Sequence, residues 1–370
     1  MSNVTKSRVA MMTKIKHFEI QEYPIPEISD DEMLVKVEGC GVCGTDVHEY
    51  KNDPFGCLPI VLGHEGTGEI VKMGKNIQKD TMGKPLNVGD KIVTSIIPCG
   101  ECYACKNTPD RTELCEDMGC YGLTPDDDLH LNGWFSDYIF IRKGSTFFKV
   151  NEFDVRTRIM IEPMSVGVAA VRRAQTTQLL DFSTKVLIQG CGPIGLSVLI
   201  ALKTMGIQNV MVIDGNDSRL AVAEKIGACK TFNFKNYDTQ QALLDAVMAE
   251  TDGHGVGFAF QTTGSTQGYS NLFKFIARGG GLCEVGFFVE LGEASINPFE
   301  DICFKEISYV GCYAYSPQNY PITLDCIRRA QAIGIDVGAL VTHRYNLEDI
   351  TDAFEKNMSM EGIKIAVGTY

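Results

Sequence analysis

Short apolar stretches separated by Gly, Pro, Asn and Asp dominate the first part of the chain. Met33–Val37, Gly68–Met73 and Lys91–Ile97 are each predicted to form a strand, because each is a short apolar run near turn residues. Turn residues follow one another in Asn87–Asp90, and Thr124–Asp128 is predicted to be a surface loop. The first part of the chain is therefore predicted to be rich in β-structure.

After about Ile161 the pattern changes to short buried strands that alternate with helices. The apolar strand Lys185–Gln189 leads into an apolar helix that extends to Met205, and the strand Asn209–Asp214 leads into a helix that stops at Gly227. Later strands are predicted at Val256–Gln261, Leu282–Val285 and Lys364–Val367, and later helices at Ile322–Ile333 and Glu348–Asn357. Strands that alternate with helices predict a parallel, doubly wound sheet.

A chain of 370 residues is long for a single hydrophobic core, so two domains are expected. We predict an α/β protein in which a Rossmann domain, residues 161–305, is inserted in a β-rich domain that carries the candidate catalytic residues described below. Residues 1–160 form the first part of this β-rich domain, and residues 306–370 return to it.

The net charge is strongly negative, with 47 Asp and Glu residues against 34 Lys and Arg residues and a formal charge of −13. A negative surface field repels the phosphates of nucleic acids and of anionic membranes, so neither is an expected partner. The sequence contains no run of about 18 apolar residues that could cross a bilayer. Met1–Lys16 lacks the apolar block of a signal peptide, so we expect a cytoplasmic location in which the 14 cysteines stay reduced.

A glycine-rich turn follows the first strand of the alternating segment. Gly190, Gly192 and Gly195 form the pattern G-x-G-x-x-G between an apolar strand and a helix, and Pro193 and Ile194 lie inside it. The first glycine permits a tight turn, the second lets the backbone approach a pyrophosphate, and the third lets the helix pack on the strand. Free N–H groups at the helix N-terminus can hold the phosphates. The pattern therefore predicts a dinucleotide site.

Asp214 ends the next strand, at the place where such a domain holds the adenosine ribose. A carboxylate there can accept both ribose hydroxyls of NAD, and it repels the 2′-phosphate of NADP. Arg219 lies nearby and could accommodate a phosphate, although a surface charge on a helix is the simpler interpretation. We predict NAD as the cofactor.

Four cysteines cluster within the segment of residues 95–120. Cys99, Cys102 and Cys105 follow one another at three-residue steps, and Cys115 comes next. Four thiolates at such spacing form a closed tetrahedral zinc site, which is structural because it leaves no position for a substrate. The alternatives are that Cys120 is the fourth ligand, or that these are free buried cysteines.

A second set of candidate metal ligands is spread over three segments. Cys43 and His64 lie in separate glycine-rich stretches that are predicted to be loops, and Glu162 follows much later. A thiolate, an imidazole and a carboxylate can hold zinc and leave one position open. Taken alone these residues carry little weight, because a single Cys or His is more often structural than a ligand.

Four motifs give these residues more weight because they occur together and in one order. They are Gly41–His48, Gly63–Gly68, Pro98–Cys105 and Gly190–Gly195. The combination resembles the zinc-containing medium-chain dehydrogenase/reductase family over essentially the whole chain, from about Glu32 onward. The stretch Glu162–Ala174 resembles the sorbitol and polyol dehydrogenase branch most closely. The resemblance implies a GroES-like catalytic domain around the Rossmann domain, and a homo-oligomer that is either a dimer or a tetramer.

The resemblance also implies roles for the metal residues. Cys43 and His64 match catalytic zinc ligands, and Glu65 matches the acid beside that histidine, which can bind the metal or leave it. Glu162 matches a third ligand or, in polyol enzymes, a residue that holds the zinc-bound water. Asp46 matches a partner that orients the histidine ligand. The four-cysteine segment matches the family's structural zinc lobe, so two zinc ions are implied.

The resemblance assigns a proton relay to Thr45 and His48. It thus implies an NAD-dependent zinc dehydrogenase that acts on a small alcohol or polyol, or on the matching carbonyl compound. Two other interpretations stay open: a reductase of an anionic or phosphorylated carbonyl substrate, and a zinc-free quinone reductase or non-catalytic nucleotide-binding protein of the same fold. Cys43 together with His64 argues against the second, which would not need these ligands.

Three departures from the family pattern concern the metal lobe and the substrate site. The interval before Cys115 is longer than usual, so the loop over the structural zinc is expected to bulge. Glu49 follows His48 where animal-type sorbitol dehydrogenases have Tyr, and Tyr313–Tyr315 lacks the Arg that those enzymes carry between two aromatic residues. Both of these differences fall where the resemblance places the substrate hydroxyls, so sorbitol itself is not predicted.

Overall fold

The computed structural model describes residues 5–370, which divide into two compact units. The first unit contains the residues up to Glu162 together with Ser316–Pro321 and Asp336–Tyr370, and the second contains Pro163–Tyr315 and Ile322–Ile335. The second unit is therefore inserted in the first.

The strands of the described residues, in order, are β1 (Lys6–Lys14), β2 (His17–Pro24), β3 (Met33–Val42), β4 (Ile60–Val61), β5 (Glu65–Met73), β6 (Lys91–Thr94), β7 (Tyr138–Ile141), β8 (Phe147–Lys149), β9 (Val186–Gln189), β10 (Val210–Asp214), β11 (Lys230–Asn233), β12 (Val256–Gln261), β13 (Ile276–Glu284), β14 (Ser308–Gly311), β15 (Val341–Tyr345) and β16 (Lys364–Gly368). The α-helices are α1 (Gly44–Asn52), α2 (Tyr103–Asn107), α3 (Val155–Ile159), α4 (Ile161–Gln175), α5 (Pro193–Thr204), α6 (Asp217–Ile226), α7 (Gln240–Ala249), α8 (Thr266–Phe275), α9 (Asn319–Ala332) and α10 (Ile350–Met358).

The first unit is built on a seven-stranded sheet in the order β15-β16-β3-β5-β6-β8, with β7 paired to β3, and on a small sheet in the order β2-β1-β4. Every strand pair in it is antiparallel except β15 with β16. The strands predicted from apolar runs are confirmed, although the predicted strand Lys91–Ile97 ends at Thr94. The long central strand β3 pairs with β5, β7 and β16, and so joins the segments that carry the candidate metal residues.

The core of the first unit fixes the start of β5, where the first candidate glutamate lies. Trp134 is buried and donates a hydrogen bond from its indole Nε1 to Oγ1 of Thr94 at 3.0 Å. A Cβ on Gly66 would lie 2.0 Å from the Trp134 ring, so only glycine at this position lets the tryptophan pack directly on the strand. The residue just before it, Glu65, is held in place by the same packing.

The second unit contains the predicted parallel sheet. Its six strands pair in the order β11-β10-β9-β12-β13-β14, and all five pairings are parallel. This is the doubly wound order, in which the chain starts at the central strand β9 and winds outward to each edge. Helix α6 ends at Gly227, whose φ of 113° is in the left-handed region that favours glycine, so the predicted helix end is confirmed.

The bounds of the second unit differ from the predicted range 161–305. Strand β14 pairs with β13 and so remains in the parallel sheet, and most of helix α9 also belongs to this unit, where Oγ1 of Thr204 lies 3.4 Å from Sγ of Cys326. Both elements lie in the range 306–370 that the sequence predicts to return to the first domain, because strand pairing cannot be deduced from a segment as short as β14. Among the described residues, no helix has both the length and the hydrophobicity needed to cross a bilayer.

Candidate active site

The motif Gly41–His48 lies at the start of helix α1 and not in the loop that its glycines predict. Cys43 is the N-cap residue of this helix, with an extended backbone. Asp46, in the first turn, accepts a hydrogen bond from the backbone N–H of Cys43 at 2.8 Å and so closes the turn. A helix N-terminus favours negative charge, so this position suits a candidate metal ligand that carries a negative charge.

Asp46 also connects this helix to the segment that carries His64. The carboxylate is fully buried; its Oδ1 lies 3.2 Å from Nδ1 of His64 and accepts the backbone N–H of Gly63 at 3.3 Å. A carboxylate behind a histidine fixes the ring and leaves the other ring nitrogen for a metal. Burial lowers the pKa of His64, but Asp46 and Cys43 raise it by more, so this pKa lies well above its ordinary value. The site therefore stabilises positive charge.

Cys43, His64 and Glu65 come together in the first unit. Sγ of Cys43, a ring nitrogen of His64 and a carboxylate oxygen of Glu65 all lie within 4.8 Å of one another. Glu65 is the first residue of β5, so this part of the motif also lies outside the predicted loop. The arrangement brings a thiolate, an imidazole and a carboxylate to one point, as a zinc site requires.

Glu162, the other candidate carboxylate ligand, is the second residue of helix α4 and is not part of this group. Its charge nevertheless acts on two neighbours of the cluster, Cys120 and Lys364. Burial raises the pKa of the Cys120 thiol to about 12, so this cysteine stays protonated near the catalytic cluster.

Lys364 is a buried charged residue that the sequence analysis missed. Its Nζ lies 2.6 Å from both carboxylate oxygens of Glu65 and 3.3 Å from the carbonyl oxygen of Val42. Burial lowers the pKa of Lys364, but Glu65, Cys43 and Glu162 together raise it by more, so the amine stays charged. The sequence does contain a signal for it, because a lysine interrupts the apolar run Ile363–Val367 and a charge within a buried strand needs a partner.

Thr45 and His48 lie three residues apart on α1 and therefore share one face of the helix. Oγ1 of Thr45 lies 3.6 Å from Sγ of Cys43, which places the Thr45 hydroxyl beside the group of candidate metal ligands. Burial, and then the charge of Lys51, lower the pKa of His48, so the half-buried ring is neutral at pH 7 and can accept a proton.

Glu49, which departs from the family pattern, is a fully buried residue of helix α1 that faces the turn after the helix. Its Oε1 accepts the backbone N–H of Phe55 at 3.3 Å. Burial raises the pKa of Glu49 to about 7, and the nearby Asp53 adds to this effect. This carboxyl group thus contributes to the fold of the turn. At the other departure in the predicted substrate site, Ala314 has a φ of 53°, so the backbone turns sharply between Tyr313 and Tyr315.

The four cysteines of the segment 95–120 form a second group, in which the sulfurs of Cys99, Cys102, Cys105 and Cys115 all lie within 4.8 Å of one another. Backbone N–H groups point at these sulfurs: that of Cys102 lies 3.3 Å from Sγ of Cys99, and that of Cys105 lies 3.5 Å from Sγ of Cys102. Such hydrogen bonds favour thiolates and lower the pKa of Cys102 to about 6.

The extra residues before Cys115 form a short 3-10 turn, Thr112–Leu114, that follows helix α2. Cys115 is the residue after this turn, and it joins the group, whereas Cys120 does not. The longer interval is therefore compatible with a closed four-sulfur site, because the additional chain is accommodated outside the ring of sulfurs.

The glycine-rich turn of the second unit has the geometry that its pattern predicts. Gly190 has a φ of 103°, and a Cβ there would lie 2.6 Å from Oγ1 of Thr262. A Cβ on Gly195 would lie 2.0 Å from the carbonyl oxygen of Gly190, so glycine lets helix α5 approach β9. Pro193 and Ile194 open this helix, so its first N–H groups lie next to the turn.

Asp214 ends β10 and reaches the same turn. Its Oδ2 accepts the backbone N–H of Cys191 at 2.7 Å, and its Oδ1 accepts that of Asn216 at 2.9 Å. Gly192 is the N-cap residue of α5, and a Cβ there would meet only Nη1 of Arg219, at 3.9 Å. A carboxylate and a guanidinium thus both lie near the predicted cofactor turn.

Two family models match the chain. "Alcohol dehydrogenase GroES-like domain" matches residues 29–175, and "Zinc-binding dehydrogenase" matches residues 193–329. The similarity to individual proteins covers nearly the whole chain. The chain is 32% identical to a sorbitol dehydrogenase of Bacillus subtilis, over 98% of this chain and 97% of that protein. It is 31% identical to a D-arabitol-phosphate dehydrogenase of Enterococcus avium, over 93% of this chain and 91% of that protein.

Among solved structures, an alcohol dehydrogenase of Thermotoga maritima has a TM-score of 0.90 at 28% identity, with 98% of this chain and 99% of that chain covered. The fold, the two groups of metal-type ligands and the similarity over the full length agree with one another. The chain belongs to the zinc-containing medium-chain dehydrogenase/reductase family and, within it, to the branch of the polyol dehydrogenases.

Proposed function

We propose that this protein is a zinc-dependent dehydrogenase that transfers hydride between NAD(H) and a polyol or another small alcohol, or the matching carbonyl compound. The observation that carries the proposal is the convergence of Cys43, His64 and Glu65 beside the hydroxyl of Thr45. This donor set fits zinc, and Asp46 supplies the carboxylate that orients a histidine ligand. Zinc held there would act as a Lewis acid that makes a substrate hydroxyl easier to deprotonate.

Thr45 and His48 would move the proton that the hydroxyl loses. The Thr45 hydroxyl is close enough to the cluster to accept a hydrogen bond from a substrate held there. His48, one turn further along α1, is neutral at pH 7 because its pKa is lowered, so it can take the proton and pass it to solvent.

We propose NAD rather than NADP as the cofactor. The turn Gly190–Gly195 would hold the pyrophosphate at the N-terminus of α5, and Asp214 would accept the ribose hydroxyls. Arg219 favours a phosphate, and the Asp214 carboxylate opposes it.

We also propose a second, structural zinc held by the four sulfurs of Cys99, Cys102, Cys105 and Cys115. This group fits zinc because it offers four thiolates, of which several receive backbone hydrogen bonds, and leaves no position for a substrate. The cytoplasmic location stays a prediction.

The substrate is proposed to be a polyol, because the relatives include sorbitol dehydrogenases of several organisms. A phosphorylated polyol is the second candidate, supported by the similarity to a D-arabitol-phosphate dehydrogenase. Sorbitol itself is not favoured, since Glu49 and Tyr313–Tyr315 depart from the animal-type sorbitol enzymes.

A homo-oligomer, either a dimer or a tetramer, is proposed from the edge of the parallel sheet. Strand β14 is the last strand of that sheet, and its outer edge has no partner among the described strands. Tyr309 in it and Phe299, Phe304 and Tyr313 near it are 44–64% exposed. An unpaired edge strand flanked by apolar side chains is a surface that a second copy can cover by pairing edge to edge about a two-fold axis. Light scattering on the purified protein tests this.

The experiment that tests the proposed function combines metal analysis with a substrate screen. Protein purified without chelator should contain about two zinc per chain. Alcohols, polyols and polyol phosphates are then screened with NAD and with NADP, and the absorbance of the reduced cofactor is followed. A protein that holds zinc but oxidises none of these, and reduces none of the matching carbonyl compounds, would contradict the proposal.

A further inference from the structure

The ion pair between Glu65 and Lys364 is almost completely buried. The Lys364 ammonium lies 2.6 Å from both oxygens of the Glu65 carboxylate, and the two side chains are only 1–2% exposed. The residues are 299 positions apart in the chain and are brought together by β3, which pairs with β5 on one side and with β16 on the other.

Stability does not explain this pair. Moving two charges out of water costs several kcal/mol per ion, and a well-packed apolar pair of similar volume is often equally stable or more so. The Lys364 ammonium has only one further acceptor among the described residues, the carbonyl oxygen of Val42 at 3.3 Å. The location of this ion pair beside the candidate metal ligands Cys43 and His64 is the feature that needs an explanation.

Glu65 has two competing partners. One of its oxygens lies within 4.8 Å of the ligand atoms of Cys43 and His64, so this carboxylate can reach a metal held by those two residues. Both of its oxygens are engaged by Lys364. A carboxylate whose negative charge is neutralised by an ammonium is a weaker ligand for a second cation, because the two cations repel each other.

The backbone leaves room for the carboxylate on the lysine side. A Cβ on Gly41 would lie 2.0 Å from Oε2 of Glu65 and 3.0 Å from Cδ of Lys364. Any larger residue at this position in β3 would displace the carboxylate from Lys364. The same lysine donates to the carbonyl of Val42, the residue before Cys43, and is therefore tied to the strand that leads into the metal cluster.

We propose that Lys364 is a positioning residue that withholds Glu65 from the catalytic metal, and so keeps one coordination position available to the substrate hydroxyl. The proposal rests on the proposed function, since it requires a metal at Cys43 and His64. Lys364 acts through Glu65 alone: when the carboxylate stays on the lysine the position is open, and when it leaves the lysine it can close the position. No proton or electron is transferred in this exchange.

The first test measures zinc release to a chromogenic chelator. The catalytic zinc is the kinetic phase that is absent from a Cys43→Ala variant, so the structural zinc serves as an internal control. Lys364→Met should slow this phase by roughly 10–100-fold, the usual range for partners of metal ligands, because Glu65 then becomes a permanent ligand. Lys364→Arg keeps the charge and should release zinc at close to the wild-type rate. An unchanged rate in Lys364→Met would overturn the proposal.

A second pair of variants separates positioning from a direct electrostatic effect of the lysine on the metal. Glu65→Gln and Glu65→Gln/Lys364→Met should release zinc at similar rates, because Lys364 has no carboxylate left to withhold. A double variant that releases zinc about 10-fold more slowly than Glu65→Gln would show that the lysine acts on the metal directly, and would overturn the proposal. The double variant has no unpaired buried charge, so it can be compared with the wild type if either single variant does not fold. It should release zinc at close to the wild-type rate, and a rate about 10-fold slower would overturn the proposal.

Cobalt-substituted protein gives a readout that does not depend on activity. Imidazole, used as a probe of the open position, should change the visible spectrum of the wild type and bind at least about 10-fold more weakly to Lys364→Met. Equal imidazole affinity in the two proteins would contradict the proposal while leaving the proposed function intact. A wild-type protein without zinc at Cys43 and His64 would instead contradict the proposed function itself.

Discussion

Asp214 is the residue whose replacement tests the choice of cofactor most directly. Its carboxylate accepts hydrogen bonds from the backbone of Cys191 and Asn216, which fixes it at the edge of the glycine-rich turn. A hydrogen bond to a charged acceptor contributes about 1.5–3 kcal/mol. Loss of one ribose bond in Asp214→Ser should therefore lower kcat/KM for NAD by roughly 10–150-fold.

The same replacement should improve the use of NADP. A carboxylate and a doubly charged phosphate about 4 Å apart repel by ~2 kcal/mol in a water-like dielectric, which corresponds to roughly 30-fold. Arg219, whose guanidinium lies beside Gly192, would then supply a positive charge for that phosphate. The ratio of kcat/KM values for the two cofactors should thus shift by roughly 300–5000-fold in Asp214→Ser.

The assay is steady-state oxidation of one alcohol with each cofactor, followed by the absorbance of the reduced nicotinamide. Asp217 is an exposed acid at the start of α6, the helix that contains Arg219, and Asp217→Ser is therefore the matched control. This variant should leave the ratio of kcat/KM values unchanged. Adding Arg219→Ala to Asp214→Ser should remove the gain with NADP. A wild type that prefers NADP, or an Asp214→Ser variant with an unchanged ratio, would refute this reasoning and make Arg219 the residue that determines the cofactor.

Three further outcomes follow from the two metal groups and the relay. His48→Ala should keep its zinc but oxidise alcohol ~10–100-fold more slowly at pH 7. A pH–rate profile should show that this loss of rate becomes smaller at high pH, where bulk base replaces the ring. A loss of rate that is equal at every pH would exclude the relay. Cys43→Ala should lose about one zinc per chain by elemental analysis and nearly all activity at every pH. Cys102→Ser should also lose about one zinc but chiefly lower the Tm, and an unchanged Tm would contradict a structural role.

The parallel sheet was predictable from the sequence because its central strands are buried on both faces. Val186–Ile188 in β9 is fully buried, and such strands appear as continuous apolar runs bounded by glycine or a charged residue. Strand β2 was not predicted because most of its residues are partly or fully exposed, so that polar residues fill the sequence His17–Pro24 and leave no apolar run.

Helix α1 was missed for a different reason. Its first residues are Gly44, Thr45 and Asp46, which have low helix propensity, and the helix is stabilised by the contact of Asp46 with the Cys43 backbone. The pairing of Glu65 with Lys364 was equally inaccessible, because it depends on which strands are neighbours in the sheet and not on any local spacing. Ligand types could be read from the motifs, whereas the contacts that control them required the fold.

The contacts of Asp46 imply a particular order of maturation for the two metal sites. This buried carboxylate joins the start of α1 to Gly63 and His64 through contacts within the protein, so folding itself brings the candidate catalytic ligands together. We therefore expect a metal ion to enter and leave this site without unfolding. The four-cysteine segment has little such support, since Ala104 is the only buried residue in its two short helices. A zinc ion held there would have to serve as the local core, and we expect the nascent chain to acquire that ion while it folds and the proposed catalytic ion afterwards.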